Sequence, residues 1–128
     1  MAIGTIKDCR PLTMNTGHVK EPKLNAGEGD WEFNFLNSDI QFMPGTHFLY
    51  NTPATFMLSS IIKKVSGEML VDYLYPRLFE PLGIEKPDWE MNEDGVNVGG
   101  WGLHLKTEDI AKFGLLYLNK GMLSLIHI

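Results

Sequence analysis

Paired cysteines, long apolar runs and clusters of basic residues are all missing from this sequence of 128 residues. The single cysteine, Cys9, excludes an internal disulfide and any metal or redox site built from cysteines alone, and we interpret it as a buried, inert thiol. No apolar run approaches the roughly 20 residues that cross a membrane, and the N-terminus lacks the pattern of a signal peptide. Eleven basic against 16 acidic residues give a net charge of −5, so neither nucleic acid nor anionic lipid is expected as a partner.

The sequence also lacks the common motifs for metals, nucleotides and a serine nucleophile. None of its four histidines pairs with another at the i,i+4 spacing of a helical zinc site. The acidic stretch 88–94 lacks the ligand pattern of a calcium loop and is interpreted as a solvated charge cluster. Neither a phosphate-binding loop nor a Gly-x-Ser-x-Gly elbow is present. We therefore expect no metal ion and no cofactor.

The chain does have enough apolar side chains for a core, since 44% of its residues are apolar and 11% are aromatic. Glycine and proline divide it into segments. Residues 15–29 are predicted to form an exposed loop, 77–84 a packed connection, and 85–102 a loop that leads into a strand-like segment up to Leu105. The domain is predicted to cover residues 1–122, and 123–128 are interpreted as a candidate non-native tail.

Apolar periodicity and capping residues predict four helices, besides a short one around residues 6–9. Pro53 suits the first position of the second helix, and Pro76 is predicted to end or kink the third. The four predicted helices extend from Asp30 to Asn37, from Thr52 to Gly67, from Glu68 to Tyr75 and from Thr107 to Gly121, counting the residues that begin and end them. Asp30, Thr52 and Thr107 are the predicted N-caps.

Two of these helices have a clear apolar face. The second is predicted to be mostly buried, with Lys63 and Lys64 in solvent. Its apolar residues are Phe56, Met57, Leu58, Ile61, Ile62 and Val65, and those of the last helix are Ile110, Phe113, Leu116 and Tyr117.

Tyr50 is the candidate catalytic residue that the sequence places most favourably, at the boundary between two predicted elements. It follows the short aromatic segment 47–49, predicted to be extended, and it directly precedes the second helix. A tyrosine at such a boundary can direct its phenol into a cleft while its ring stays packed. The residues alone leave two interpretations open, a functional phenol and a core or rim tyrosine.

Five strings in this order resemble the serine beta-lactamase and penicillin-binding-protein-like hydrolase family, related to the class C beta-lactamases. Together they extend over nearly all of the chain from Leu12 to Gly121. The strings are 12–18 (LTMNTGH), 44–52 with 57–67 (PGTHFLYNT and MLSSIIKKVSG), 73–84 (YLYPRLFEPLGI), 99–103 (GGWGL) and 107–114 (TEDIAKFG).

The resemblance implies an α+β family fold, of which this segment is the mainly α-helical region. It also implies a serine hydrolase, in which the serine of a Ser-x-x-Lys motif attacks an amide or ester carbonyl and water later releases the acyl group. Tyr50 matches the tyrosine of the family's Tyr-x-Asn motif, which helps the lysine to activate that serine. The implied partner is a small-molecule amide or ester.

The chain departs from the family pattern at two places. Thr52 stands at the position of the motif asparagine and Asn51 precedes it, so both are predicted to bind substrate and beta-lactam specificity is put in doubt. The only Ser-x-x-Lys, Ser60 to Lys63, follows Tyr50 instead of preceding residues 12–18, and Ser60 is interpreted as a packed helix residue beside a solvent lysine.

These observations favour an internal fragment of a serine hydrolase that is inactive alone, because the nucleophile motif lies outside it. The alternatives are a non-catalytic binding module that retains part of the hydrolase fold and a purely structural helical module. Because the true N-terminus is expected to be missing, localisation stays open between cytoplasmic and exported. The substrate class stays open among beta-lactams, peptides, esters and amides.

Overall fold

A computed structural model describes residues 10–25 and 30–122, and this part of the chain is mainly helical with one small sheet. None of its helices is long and apolar enough to cross a membrane. The predicted helix around residues 6–9, the surroundings of Cys9 and the tail 123–128 lie outside the described residues. The elements are α1 (Trp31–Leu36), α2 (Thr52–Ser66), α3 (Leu70–Leu74), a π-helical turn (Tyr75–Phe79), a 3-10 turn (Glu80–Leu82), β1 (Asp88–Trp89), β2 (Leu103–His104) and α4 (Thr107–Leu118).

Helix α1 begins and ends where the sequence predicts. The carboxylate of Asp30 accepts a hydrogen bond from the backbone N–H of Phe33 at 2.7 Å, which satisfies one of the unpaired amides of the first turn. The helix ends at Asn37, whose own N–H bonds back to Phe33. One face of α1 buries Phe35, and its Trp31 ring packs edge-on against Phe56 of α2 with ring centroids 5.0 Å apart.

The N-cap of helix α2 is one residue earlier than predicted. Asn51 occupies the cap and its side-chain oxygen accepts from the N–H of Ala54 at 3.0 Å, whereas Thr52 is the first helical residue. The end is confirmed, because Gly67 takes the left-handed conformation with φ of 75° that terminates helices. Asparagine and threonine both cap helices, so the capping rule by itself did not separate the two positions.

The burial of α2 is uneven along its length. Phe56 and Met57 are buried in a core that also holds Leu24, Phe35 and Val96. Toward its C-terminus the helix emerges from this core, and the prediction that Val65 is buried is wrong, since the side chain is 71% exposed. Lys63 was expected in solvent, but its ammonium group donates to the backbone carbonyls of residues 94 and 95, at 2.8 and 3.1 Å.

Regular α-helix ends at Leu74, close to the predicted end at Tyr75 and just before Pro76, but the chain stays helical beyond it. Helix α3 continues into the π-helical turn, which places Pro76 near its start, and then into the 3-10 turn. Residues 77–84 form the packed connection that the sequence predicts, with Phe79, Leu82 and Ile84 buried in a second core. This core receives Phe113 and Leu116 from α4.

The glycine-rich segment 99–102 packs directly on α2. A Cβ at Gly99 would lie 2.6 Å from the carbonyl oxygen of Thr55, and one at Gly100 would lie 2.3 Å from the Thr55 hydroxyl oxygen. Only glycine permits this approach. The chain then enters β2, which pairs antiparallel with β1 and confirms the predicted strand-like segment.

Helix α4 differs from the prediction at its start and on one face. Lys106 stands at the cap without a side-chain hydrogen bond, and Thr107 is the first helical residue. Asp109 is buried and bonds to the ammonium group of Lys112 at 2.7 Å. Ile110 and Tyr117, predicted on the apolar face, are exposed because the second core reaches only the side of α4 that carries Phe113 and Leu116.

The segment predicted as an exposed loop is partly buried. Gly17, His18, Pro22 and Leu24 all lie inside, and the carbonyl oxygen of Gly17 accepts from the N–H groups of residues 41 and 42, each at 3.1 Å. Gly17 has φ of 91°, and a Cβ there would lie 2.3 Å from the carbonyl oxygen of Phe42. Backbone contact buries this segment, so its polar composition misled the prediction.

Two glycine substitutions are expected to change stability in opposite directions. Gly17→Ala combines a left-handed φ with a backbone clash and should lower the free energy of unfolding by at least about 1 kcal/mol. Gly114→Ala lies in α4 with nothing near the new methyl group and should raise it by about 1 kcal/mol. Urea unfolding of the two variants beside the parent checks both signs, and a neutral Gly17→Ala would contradict the close approach.

Candidate functional site

Tyr50 is exposed at the point where the extended segment 47–50 meets helix α2. Its side chain is 63% exposed, and no described residue hydrogen-bonds its phenol oxygen. The backbone around it is nevertheless fixed. The N–H of Leu49 donates to the carbonyl of Met14 at 3.1 Å, and the N–H of Asn51 donates to the Met14 sulfur at 3.4 Å. The phenol therefore projects into solvent from a backbone that is held on both sides.

Asn51 points in the opposite direction, into the protein. Its side chain is completely buried, and its oxygen caps α2 through the N–H of Ala54. Because a backbone N–H can only donate, this bond fixes which end of the carboxamide is oxygen. The nitrogen then donates to the Thr16 hydroxyl at 3.1 Å and to Nδ1 of His18 at 3.3 Å. The predicted contact between Asn51 and substrate thus has no exposed polar atom to act through in this structure.

His18 is the site residue that sequence reasoning missed. It is 3% exposed, its Nδ1 lies 2.7 Å from the Thr16 hydroxyl, and its ring packs against Phe35 with centroids 5.0 Å apart. The Asn51 amide nitrogen can only donate, so its contact with Nδ1 assigns the ring the tautomer that carries its proton on Nε2. Burial lowers the pKa of His18, and the backbone of Phe35 opposes this only in part. Nε2 makes no hydrogen bond of good geometry within the described ranges, so the Phe35 backbone acts on the ring only as a longer, weaker contact.

Thr52, two residues after Tyr50, lines a groove. Its N–H donates to the Glu21 carboxylate at 2.9 Å, and its hydroxyl has no hydrogen bond to a described residue. The groove has a volume of about 630 Å³, within the range of small-molecule sites. Trp31 and Trp101 form its aromatic wall, with ring centroids 6.1 Å apart. The remaining lining residues are Glu21, Pro22, Lys23, Leu24, Asn25 and Pro53.

Ser60 and Lys63 are directed to separate partners. The Ser60 hydroxyl donates to the Glu32 carboxylate at 2.6 Å, while Lys63 bonds to the carbonyls of residues 94 and 95. The serine is therefore a packed helix residue, as interpreted from the sequence. Among residues 10–25 and 30–122, no group of histidine, cysteine or carboxylate side chains has the arrangement of a metal site.

Comparison with known proteins supports one fold. No protein-family model matches the chain, and no curated protein does. The octameric penicillin-binding protein homologue from Pyrococcus abyssi is 20% identical over 89% of this chain, with a TM-score of 0.62. A penicillin-binding protein from Bacillus halodurans is 17% identical over 88% of it, with a TM-score of 0.57. The chain has a penicillin-binding-protein-like fold.

This penicillin-binding-protein-like fold confirms the resemblance seen in the sequence at the level of fold. The chain spans 35% and 48% of the length of the two proteins. At these identities the likeness concerns the path of the chain, so the role of each residue has to be argued from its own surroundings.

We expect the free energy of unfolding to fall as the pH drops below about 6.5, the ordinary pKa of histidine, toward the lower pKa of His18 in the folded chain. In this window the unfolded chain binds the proton more readily, so acid favours unfolding, and the full stability returns above the window. Urea unfolding at a series of pH values measures the effect. His18→Gln should remove this part of the pH dependence and the exposed control His47→Gln should not; identical profiles for the parent and His18→Gln would contradict the assignment.

Proposed function

We propose that this chain is an internal segment of a longer serine hydrolase that forms an acyl-enzyme with an amide or ester substrate. Tyr50 is the catalytic residue of this segment and accepts the proton of a serine that another part of the protein supplies. The proposal depends on one observation, the exposed phenol on a backbone that Met14 holds on both sides. The penicillin-binding-protein-like fold supports it.

The proposed chemistry requires a cation near the phenol. Tyrosine ordinarily has a pKa of about 10, and an adjacent positive charge favours the phenolate. A lysine of the Ser-x-x-Lys motif outside this segment supplies that charge. The Tyr50 phenolate removes the serine proton as the serine oxygen attacks the carbonyl carbon, and it returns the proton to the departing nitrogen or oxygen. Water then attacks the acyl carbonyl, which releases the acid and restores the serine.

The substrate lies along the groove beside Thr52. The Thr52 hydroxyl is free to contact a polar group of the substrate, and the wall formed by Trp31 and Trp101 suits an aromatic or other flat apolar group. Asn51 does not contact the substrate, because both polar atoms of its carboxamide are hydrogen-bonded inside the protein. Thr52 is therefore the substrate-binding residue of the two that the sequence predicted.

The groove also favours a second candidate, a non-catalytic binding module. Its aromatic wall and the exposed Tyr50 would bind a small molecule without any nucleophile. In that case the complete protein binds such ligands but does not turn them over. The two candidates therefore differ in whether a serine becomes acylated.

Tyr50→Phe in the complete protein is expected to lower kcat/KM for an ester substrate by about 10²- to 10⁴-fold, the usual contribution of a general base. The ring is retained and only the phenol oxygen is lost, so stability should not change. Tyr117→Phe is the matched control, because Tyr117 is 81% exposed on α4 and should keep full activity.

Labelling separates the hydrolase from the binding module. A fluorophosphonate or penicillin probe should acylate one serine of the complete protein, more slowly in Tyr50→Phe, and mass spectrometry locates that serine. Full activity in Tyr50→Phe, or no labelled serine, would count against the hydrolase.

Trp101→Ala is expected to raise KM for substrates with an aromatic acyl group by about three- to tenfold, the usual worth of an aromatic contact. The kcat should change little, because a contact made equally with the bound substrate and the transition state changes KM alone. The comparison uses p-nitrophenyl phenylacetate and p-nitrophenyl acetate, and Trp101→Phe is the conservative control. An equal effect on both esters would contradict a role of this wall in binding the acyl group.

A further inference from the structure

Three side chains behind Tyr50 form a closed ring of hydrogen bonds. The Asn51 nitrogen donates to the Thr16 hydroxyl at 3.1 Å and to the His18 Nδ1 at 3.3 Å, and the Thr16 hydroxyl lies 2.7 Å from the same Nδ1. The hydroxyl accepts from Asn51 and donates its own hydrogen to His18, since Nδ1 carries no proton. We infer that this ring positions the Tyr50 phenol for proton transfer, an inference that rests on the proposed function.

Capping alone does not account for the ring. A cap of helix α2 requires only the Asn51 oxygen, which bonds to the N–H of Ala54, and serine or aspartate caps equally well. The nitrogen of Asn51 instead ties the start of α2 to the Thr16–His18 segment, and Thr16 lies 35 residues earlier in the chain. His18 makes this tie from inside the protein, where it is 3% exposed and its ring packs against Phe35.

The ring influences Tyr50 through its two neighbours in the chain, Leu49 and Asn51, which are both held by hydrogen bonds. Met14 holds the N–H groups of Leu49 and Asn51, and the ring holds the Asn51 side chain. The Cα–Cβ direction of Tyr50 is then set by fixed atoms on both sides, although the phenol itself makes no bond to a described residue. Displacement of a catalytic group by about 1 Å can reduce the rate a hundredfold. Asn51, Thr16 and His18 are therefore positioning residues.

Thr16→Val tests the inference with the least disturbance. It replaces the hydroxyl by a methyl group of similar volume and leaves the cap of α2 in place. In the complete protein we expect kcat for an ester substrate to fall by about tenfold or more with little change in KM. Thr16→Ser keeps the hydroxyl and should restore most of the rate. Thr46→Val is the matched control, because the Thr46 hydroxyl bonds to the Met43 carbonyl in an exposed turn outside the ring.

A double-mutant cycle distinguishes positioning of Tyr50 from a general structural effect. If the ring acts through the phenol, Thr16→Val should cause no further loss in a Tyr50→Phe background. Additive losses, or an unchanged kcat in Thr16→Val, would overturn the inference and leave the proposed function intact. An unaffected Tyr50→Phe would overturn both. Should Thr16→Val fail to fold, Asn51→Ser, which keeps a cap but cannot make both nitrogen bonds, replaces it with the same expected results.

Discussion

The buried carboxamide of Asn51 holds together two segments that lie 35 residues apart in sequence. Burial of an amide is unfavourable unless its polar atoms are bonded, and here the oxygen and the nitrogen both have partners. The same group caps α2 and bonds to the Thr16–His18 segment, where burial lowers the pKa of His18. The close approach of Gly17 to the backbone of Phe42 fixes the same segment.

Adjacent side chains of the extended backbone before α2 point in opposite directions. Successive side chains of an extended chain point to opposite faces, so Tyr50 faces solvent and Asn51 faces the interior. Thr52, the first residue of the helix, then lies at the groove with Trp101. The glycines at 99 and 100 allow that tryptophan to approach the helix, because any Cβ there would meet Thr55. The loops that carry Tyr50 and Trp101 are thus both positioned by the N-terminal turn of α2.

Sequence and structure differ at the ends of the elements. Asp30 is predictable as a cap because it directly precedes a dense apolar cluster. Asn51 is not, because Thr52 and Pro53 offer an equally good local pattern. Val65 continues the apolar period of α2, but periodicity records only which side chains share a face and not how far the opposing core extends.

The sequence by itself determined the helices, the left-handed glycine at the end of α2, the place of Tyr50 before that helix and the kind of fold that the comparison with known structures supports. These depend on residues within a few positions of one another. Only the tertiary structure decided that Asn51 faces inward, that His18 is buried and that Ser60 and Lys63 have separate partners. Each of those outcomes depends on a contact over 28 or more residues, where the partner is selected by packing and cannot be deduced from local pattern.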